Sequence, residues 1–170
     1  INNLSSDFGD KWQADIAKLV EIGEPALPQL ICRTLSGWND KIQSGTGEAL
    51  LKIVANQPAL KETATKELIK ILREDSRWYA RTRSAQMLTH FPEPEVIVAL
   101  AQALRDENGG VKNASAETLI QISRRSDELA RVVLEAVKPL LKDPYLPTSN
   151  AAKRIIEEIE KNKGAQGPVS

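Results

Sequence analysis

The chain has 170 residues, and its 23 lysine and arginine side chains are balanced by 23 aspartate and glutamate side chains. Hydrophobic residues make up 41% of the sequence and aromatic residues only 4%, a composition that favours many small apolar contacts between helices over one aromatic-rich core. Because nucleic-acid binding draws much of its affinity from neutralised phosphates, a net charge of zero argues against DNA or RNA as the partner.

Segments with helical periodicity follow one another along the chain, and no segment shows the sustained two-residue alternation of a β-strand. The first predicted helix covers about Lys11–Ile22. After it, two kinds of helical segment alternate, which is the pattern of successive helical hairpins. The four segments that we interpret as the first helices of these hairpins are Pro25–Leu35, Ala59–Leu72, Pro94–Leu104 and Asp127–Leu141.

The segments that we interpret as second helices share two columns of residues. The first column holds a small residue and recurs at intervals of 38, 31 and 36 residues, at Gly47, Ala85, Ala116 and Ala152. The second column lies three residues later and is aliphatic, at Leu50, Leu88, Leu119 and Ile155. Residues three apart lie on one helical face, so the small side chain admits a neighbouring helix and the aliphatic one fills the space beyond it.

Helix-breaking residues fall between these segments. Proline interrupts the pattern at Pro25, Pro94 and Pro144. The stretch Asn108–Gly110 is predicted to end a helix, since these residues tolerate left-handed backbone. Ser126 is predicted to cap the N-terminus of the following helix.

The sequence therefore predicts an all-α fold of about nine helices, arranged as four hairpins after one leading helix. The predicted repeat domain covers residues 1–162. The remaining residues, 163–170, lack an apolar pattern and are predicted to form a disordered tail.

Two stretches resemble a known family. VKNASAETLIQI at 111–122 and EIGEPALPQL at 21–30 look like HEAT-like repeats of the phycobilisome-lyase type, and the resemblance extends over about residues 11–160. It implies an α-α superhelix, a HEAT-like solenoid, whose second helices line the concave face. The family's members serve as scaffolds, adaptors, chaperone-like subunits of bilin lyases and regulatory arms, and a distant group contains DNA glycosylases. The sequence departs from the pattern at Gly45, Gly47 and His90-Phe91.

Residue types that carry catalysis are sparse. The chain has one histidine and one cysteine, and it lacks a phosphate-binding glycine loop and a zinc-binding His-Glu-x-x-His helix. Gly45-Thr46-Gly47 is interpreted as close helix packing, Cys32 as a buried apolar side chain, and His90 as an ordinary surface residue. We therefore expect no catalytic residue, no cofactor and no metal site.

The predicted helical facing leaves polar rows on the open side of the second helices. The rows are Gln43, Arg81, Lys112 and Thr148; Ser44, Thr82, Asn113 and Ser149; and Glu48, Gln86, Glu117 and Lys153, with Gln121 beyond them. Their charges are mixed in sign, which suits a protein partner better than a polyanion.

Aromatic residues precede two of the second helices, at Trp38 and Trp78. Trp78 and Tyr79, with Arg77 and Arg81 beside them, have the composition of an interface hot spot, although packing anchors between repeats are the favoured interpretation. The candidate partner-binding residues are therefore Trp78, Tyr79, Arg81, Thr82, Lys112, Asn113, Ser149 and Lys153.

These features favour a non-enzymatic protein-binding or scaffolding module, either by itself or as a regulatory part of a larger protein. The first alternative is a lyase- or chaperone-like subunit that acts on a bilin-bearing protein. The second is a DNA glycosylase, which would use Trp38 and Asp40 with the nearby arginines. A single cysteine, no membrane-length apolar run and no signal-peptide pattern lead us to expect a cytoplasmic location.

Overall fold

The computed structural model describes residues 18, 21–36 and 40–165. They belong to two compact units, residues 1–67 and 68–170, which are described separately. Every regular element in these residues is helical, which confirms the all-α prediction. The α-helices are α1 (Leu27–Ser36), α2 (Asp40–Asn56), α3 (Leu60–Glu74), α4 (Trp78–Met87), α5 (Pro94–Ala103), α6 (Gly109–Ser123), α7 (Asp127–Val137) and α8 (Leu146–Ala165), and short 3-10 helices cover Glu24–Ala26, Leu88–His90 and Lys138–Lys142.

Three of the four predicted hairpins are observed as contacting pairs of helices, namely α1 with α2, α5 with α6, and α7 with α8. Of the predicted leading helix, Lys18, Glu21 and Ile22 are helical, and its other residues lie outside the described part of the chain. The division at residue 162 stays a prediction; the helix α8 itself continues to Ala165.

In the first unit, α1 packs against α2. The chain enters α1 through Gly23, whose φ of 66° is the left-handed region that favours glycine. A Cβ atom at Gly23 would lie 2.9 Å from Nε2 of Gln57. The backbone conformation therefore favours glycine at this turn, whereas the flexible end of the Gln57 side chain could move away from a Cβ atom.

In the second unit, the helices pack in two rows. The first helices α5 and α7 contact each other, and α6 lies between α4 and α8 in the row of second helices. Both predicted columns are buried in this arrangement: Ala85, Ala116 and Ala152 are at most 1% exposed, and Leu88, Leu119 and Ile155 are 0% exposed. The prediction that small and aliphatic residues three apart face the neighbouring helices is confirmed for these positions.

Buried hydroxyl groups tie the second helices to preceding elements. Thr118 of α6 donates a hydrogen bond to the carbonyl oxygen of Ala85 in α4, at 3.0 Å. Thr148 of α8 donates to the carbonyl oxygen of Leu104 after α5, at 3.1 Å. Because both hydroxyls are satisfied by backbone, their burial carries little desolvation cost.

Two of the predicted helix ends can be compared with the observed ones. Ser126 caps α7, since its side chain accepts a hydrogen bond from the backbone N–H of Leu129, as predicted. The prediction for Asn108–Gly110 is wrong: this stretch begins α6, with Asn108 accepting from the N–H of Gly110 as N-cap. Asn–Gly pairs suit either end of a helix, so composition did not decide between the two.

In the described part of the chain, no helix is long and apolar enough to cross a membrane. Among the same residues, no group of three or more histidine, cysteine, aspartate or glutamate side chains is placed to bind a metal ion.

Candidate partner-binding groove

A groove of about 440 Å³ lies between the second helices α4 and α6. Its lining comes from Thr82 and Gln86 of α4 and from six residues of α6, namely Gly110, Asn113, Ala114, Glu117, Thr118 and Gln121. We refer to it as the α4–α6 groove. All of these residues lie within the second unit.

The repeat pattern explains why these side chains remain at the surface. Asn113, Glu117 and Gln121 are spaced by four residues, so they form one stripe along α6. Glu117 directly follows the buried Ala116, and Gln86 directly follows the buried Ala85. The predicted exposure of the row Glu48, Gln86, Glu117 and Lys153 is confirmed, because all four residues are exposed.

Two of the residues that line the groove form side-chain hydrogen bonds within the protein. Thr82 donates to the carbonyl oxygen of Trp78 at 2.9 Å, and Gln121 accepts a hydrogen bond from Thr89 at 3.1 Å. Glu117 is paired with Arg154 of α8. The carboxylate of Glu117, the charged group among the lining residues, therefore has a cation beside it at the protein surface.

Gln86 of α4 and Asn113 of α6 are two of the residues that line the groove. Both residues are exposed, and neither side chain forms a hydrogen bond to another of the residues that the structure describes. A carboxamide carries both donor and acceptor groups. The groove therefore offers donors and acceptors that no other described residue uses.

Trp78 lies at the Gly110 end of the groove. A Cβ atom at Gly110 would be 3.7 Å from Cζ3 of Trp78, so the indole lies against this glycine. Trp78 is 52% exposed and meets Tyr79 edge-to-face, with ring centroids 6.1 Å apart. The guanidinium of Arg77 lies 5.7 Å from the centre of the Tyr79 ring. Part of the indole is thus open to an apolar group at this end.

The expectation that Arg81 projects from an open surface is wrong. Arg81 is 7% exposed, and its guanidinium donates to both carboxylate oxygens of Asp106, at 2.8 and 3.0 Å. It also donates to the carbonyl oxygen of Asp75 at 2.8 Å. Arg81 precedes the buried Ala85 by four residues, and a four-residue spacing places both on the same side of the helix.

Two other members of that row are also covered. Thr148 is 0% exposed. Lys112 is half-buried, where its ammonium donates to the carbonyl oxygen of Asp106 at 3.0 Å and lies 5.0 Å from the ring centre of Tyr145. Arg81, Lys112 and Thr148 thus hold the edge of the second unit together and do not line the groove.

The remaining candidates lie on α8 or outside the described residues. Ser149 donates to the carbonyl oxygen of Leu146 at 3.0 Å, and Lys153 lies 3.7 Å from the carboxylate of Glu157; neither lines the α4–α6 groove. The side chain of Cys32 and all of Trp38 lie outside the part of the chain that the structure describes.

His90 is exposed, as predicted. Partial burial of its ring lowers the pKa of His90 below its usual value, and the positive charge of Arg125 acts in the same direction. The imidazole is therefore predominantly neutral at pH 7.

Sequence analysis missed the acidic partners at the edge of the unit. Asp106 lies 25 residues from Arg81, in the turn between α5 and α6. Burial raises the pKa of Asp106, but the Arg81 guanidinium, the N–H of Asn108 and the charge of Lys112 together hold it below its usual value. One signal in the sequence could have revealed that Arg81 is buried: it precedes Ala85, a member of the small column, by four residues.

Comparison with known proteins agrees with this architecture. The family described as HEAT repeats matches residues 65–154, and no curated protein matches the chain significantly. One similar solved structure is the complex of CpcE and CpcF of phycocyanin lyase from Nostoc sp. PCC7120. The sequence identity is 19% and the TM-score is 0.48, and the match covers 84% of this chain and 86% of that chain. Another is an engineered protein from a structural genomics consortium, with 17% identity, a TM-score of 0.43, and coverage of 85% and 70%. Because the family match spans more than half of its residues, the chain belongs to the HEAT-repeat family.

Proposed function

We propose that the chain is a non-enzymatic protein-binding or scaffolding module that holds its partner in the α4–α6 groove. The observation that carries this proposal is the pair of exposed amides, Gln86 and Asn113, which have no hydrogen-bonding partner among the described residues. Stacked helical repeats bury their apolar faces against each other and leave an extended polar face for a partner. Polar groups in such a face contribute to specificity when a partner satisfies them.

The surroundings of the groove support a protein as its ligand. Exposed Trp78 at one end supplies an aromatic surface of the kind that dominates protein interfaces. The groove carries no uncompensated charge, because Glu117 is paired with Arg154. A polyanion would therefore find no stripe of phosphate-binding cations among the groove's lining residues.

A pull-down with quantitative mass spectrometry tests the proposal. The double variant Gln86→Lys, Asn113→Lys places two lysines in the groove, and we expect it to recover the wild-type partner at least about tenfold less well. Its matched control is Asn56→Lys, Asn150→Lys, which changes two exposed asparagines outside the groove. Equal recovery by the wild type and the groove variant would remove the groove as the binding surface.

The two alternatives from the sequence stay predictions. Recovery of a bilin-bearing protein in the same experiment would favour a lyase- or chaperone-like role. The glycosylase alternative depends on Trp38, which lies outside the described residues, and on Asp40, whose side chain also lies outside them.

A further inference from the structure

A second cavity of the second unit lies apart from the α4–α6 groove. Its volume is about 240 Å³, and it opens between the last turn of α3 and the end of α5. We refer to it as the α3–α5 cavity. Its lining includes Leu72 and Arg73 of α3, Gln102 and Ala103 of α5, and Arg105 and Asp106 of the following turn. No residue lines both the cavity and the groove.

The two arginines of the cavity bring donors that the described residues do not use. Nη2 of Arg73 donates to Oε1 of Gln102 at 3.0 Å, and Nε of Arg105 donates to the carboxylate of Asp143 at 2.6 Å. Each bond holds one nitrogen of a guanidinium in place. In the described part of the chain, neither arginine forms a further hydrogen bond or ion pair, so the remaining N–H groups of both are open to a ligand.

The acidic residue of the lining does not use these donors. Both carboxylate oxygens of Asp106 accept from the guanidinium of Arg81, and one of them also accepts from the N–H of Asn108. The charge of Arg105 is balanced by Asp143, whereas Arg73 contacts only the neutral amide of Gln102. The polar side of the cavity therefore combines open donors with one uncompensated positive charge, and an anion with several acceptor oxygens complements it.

The apolar residues of the lining narrow the kind of anion. Leu72 is buried and Ala103 is half-buried, and both line the same cavity as the guanidinium groups. A fully charged phosphate or sulfate would lose hydration against these side chains without compensation. A carboxylate on a short hydrocarbon chain places its oxygens at the arginines and its carbon atoms on the apolar residues. The volume corresponds to about eight water molecules of about 30 Å³ each, so the ligand is small.

We propose that the α3–α5 cavity binds a small monocarboxylate. Its carboxylate accepts hydrogen bonds from Arg73 and Arg105, and its short apolar tail packs on Leu72 and Ala103. This site is separate from the α4–α6 groove and goes beyond the proposed function, because it assigns the chain a small-molecule ligand in addition to a protein partner.

An NMR titration of the full chain with sodium hexanoate tests the proposal. We expect a Kd on the order of 1 mM, in keeping with a small ligand that is held at one end by charge-assisted bonds. Hexanamide has the same shape without the charge, and acetate has the charge without the tail. Both should bind at least about tenfold more weakly than hexanoate. An equal affinity for either compound, or no binding of hexanoate at about 10 mM, would overturn the proposal.

The variant Arg73→Gln removes the uncompensated charge. It should weaken hexanoate binding at least about tenfold with little change in melting temperature, because Arg73 is exposed and forms no ion pair with a described residue. The matched control is Arg131→Gln, which removes an exposed arginine of α7 and should bind hexanoate like the wild type. Undiminished binding by Arg73→Gln would overturn the proposal.

Two further variants test the location of the ligand. Ala103→Leu adds volume on the apolar side of the cavity, so it should also weaken hexanoate binding. The groove variant Gln86→Lys, Asn113→Lys should bind hexanoate like the wild type. The opposite pattern, with binding kept by Ala103→Leu and lost by the groove variant, would place hexanoate in the groove and overturn the proposal.

Discussion

The Arg81–Asp106 pair is a buried electrostatic contact at the edge of the second unit. Its two side chains are only 8% and 11% exposed. The Arg81 guanidinium also donates to the backbone of Asp75, and the Asp106 carboxylate accepts from the N–H of Asn108 at 2.8 Å. These bonds join the start of α4 to the turn before α6. Removing either charged partner leaves the other buried without compensation, which costs more than the intact pair contributes.

We predict that Arg81→Ala lowers the free energy of unfolding by about 3 kcal/mol, because the carboxylate of Asp106 loses its main partner. The matched control is Arg131→Ala, which removes an exposed arginine from α7 and should change stability by about 0.5 kcal/mol or less. Urea denaturation followed by circular dichroism measures both. Equal midpoints for the two variants would show that the buried pair contributes nothing to stability.

The same pair predicts a dependence of stability on acid. The pKa of Asp106 is lower in the folded chain than its usual value, so the unfolded state binds the proton more readily. Its contribution is complete above about pH 4, the ordinary range of aspartate, and is lost as the pH falls through the lowered pKa.

Asp106→Asn isolates this contribution. The wild type should be more stable than the variant at pH 7, and the difference should shrink on acidification to about pH 3. Denaturation curves at several pH values measure the difference. A gap that stays constant from pH 7 to pH 3 would contradict the assigned direction of the shift.

At the scale of the helix, close packing depends on the small column. α6 contacts α4 and α8 together, and Ala116 on α6 is 1% exposed. Thr118, two residues farther along, reaches the backbone of Ala85. The backbones of α4 and α6 therefore approach closely where α6 presents its alanine, and extra volume there has no space to occupy.

We predict that Ala116→Leu destabilises the chain by about 1–3 kcal/mol through overpacking. Glu117→Leu places the same side chain one position along, where the residue is exposed and its ion pair with Arg154 is a weak surface contact. Its melting temperature should stay close to that of the wild type. If Ala116→Leu melts like the parent as well, the assignment of this face to the helix interface is wrong.

At the scale of the molecule, the net charge is zero, and part of the positive charge is compensated locally. Arg77 pairs with Asp75 at 2.7 Å, and Arg81 pairs with Asp106 at 2.8 Å. Arg73 donates a hydrogen bond to the neutral side chain of Gln102 at 3.0 Å. Two of the arginines that a phosphate track would need are therefore held beside carboxylates.

We predict no tight binding to duplex DNA at physiological salt, because the net charge is zero and Arg77 and Arg81 are already paired with carboxylates. Fluorescence anisotropy with a labelled duplex measures this. Submicromolar affinity that falls steeply with added salt would mean that folding concentrates arginines into a phosphate-binding surface, and it would revive the glycosylase alternative.

Local periodicity was enough to predict the hairpins, the buried columns and the exposed row that contains Gln86 and Glu117. These features follow from the geometry of a single helix, which places residues three and four apart on one face. The all-α architecture and its HEAT-like character were accessible for the same reason.

Only the tertiary structure decided which polar residues become covered. Arg81 is buried because Asp106, in the following hairpin, comes within 2.8 Å of it. The groove forms where α4 contacts α6, and Gln86 and Asn113 are among the residues that line it. Trp78 comes within van der Waals distance of Gly110 only because the two helices are neighbours. Each outcome depends on the distance between neighbouring repeats, and the periodicity of one helix carries no information about that distance.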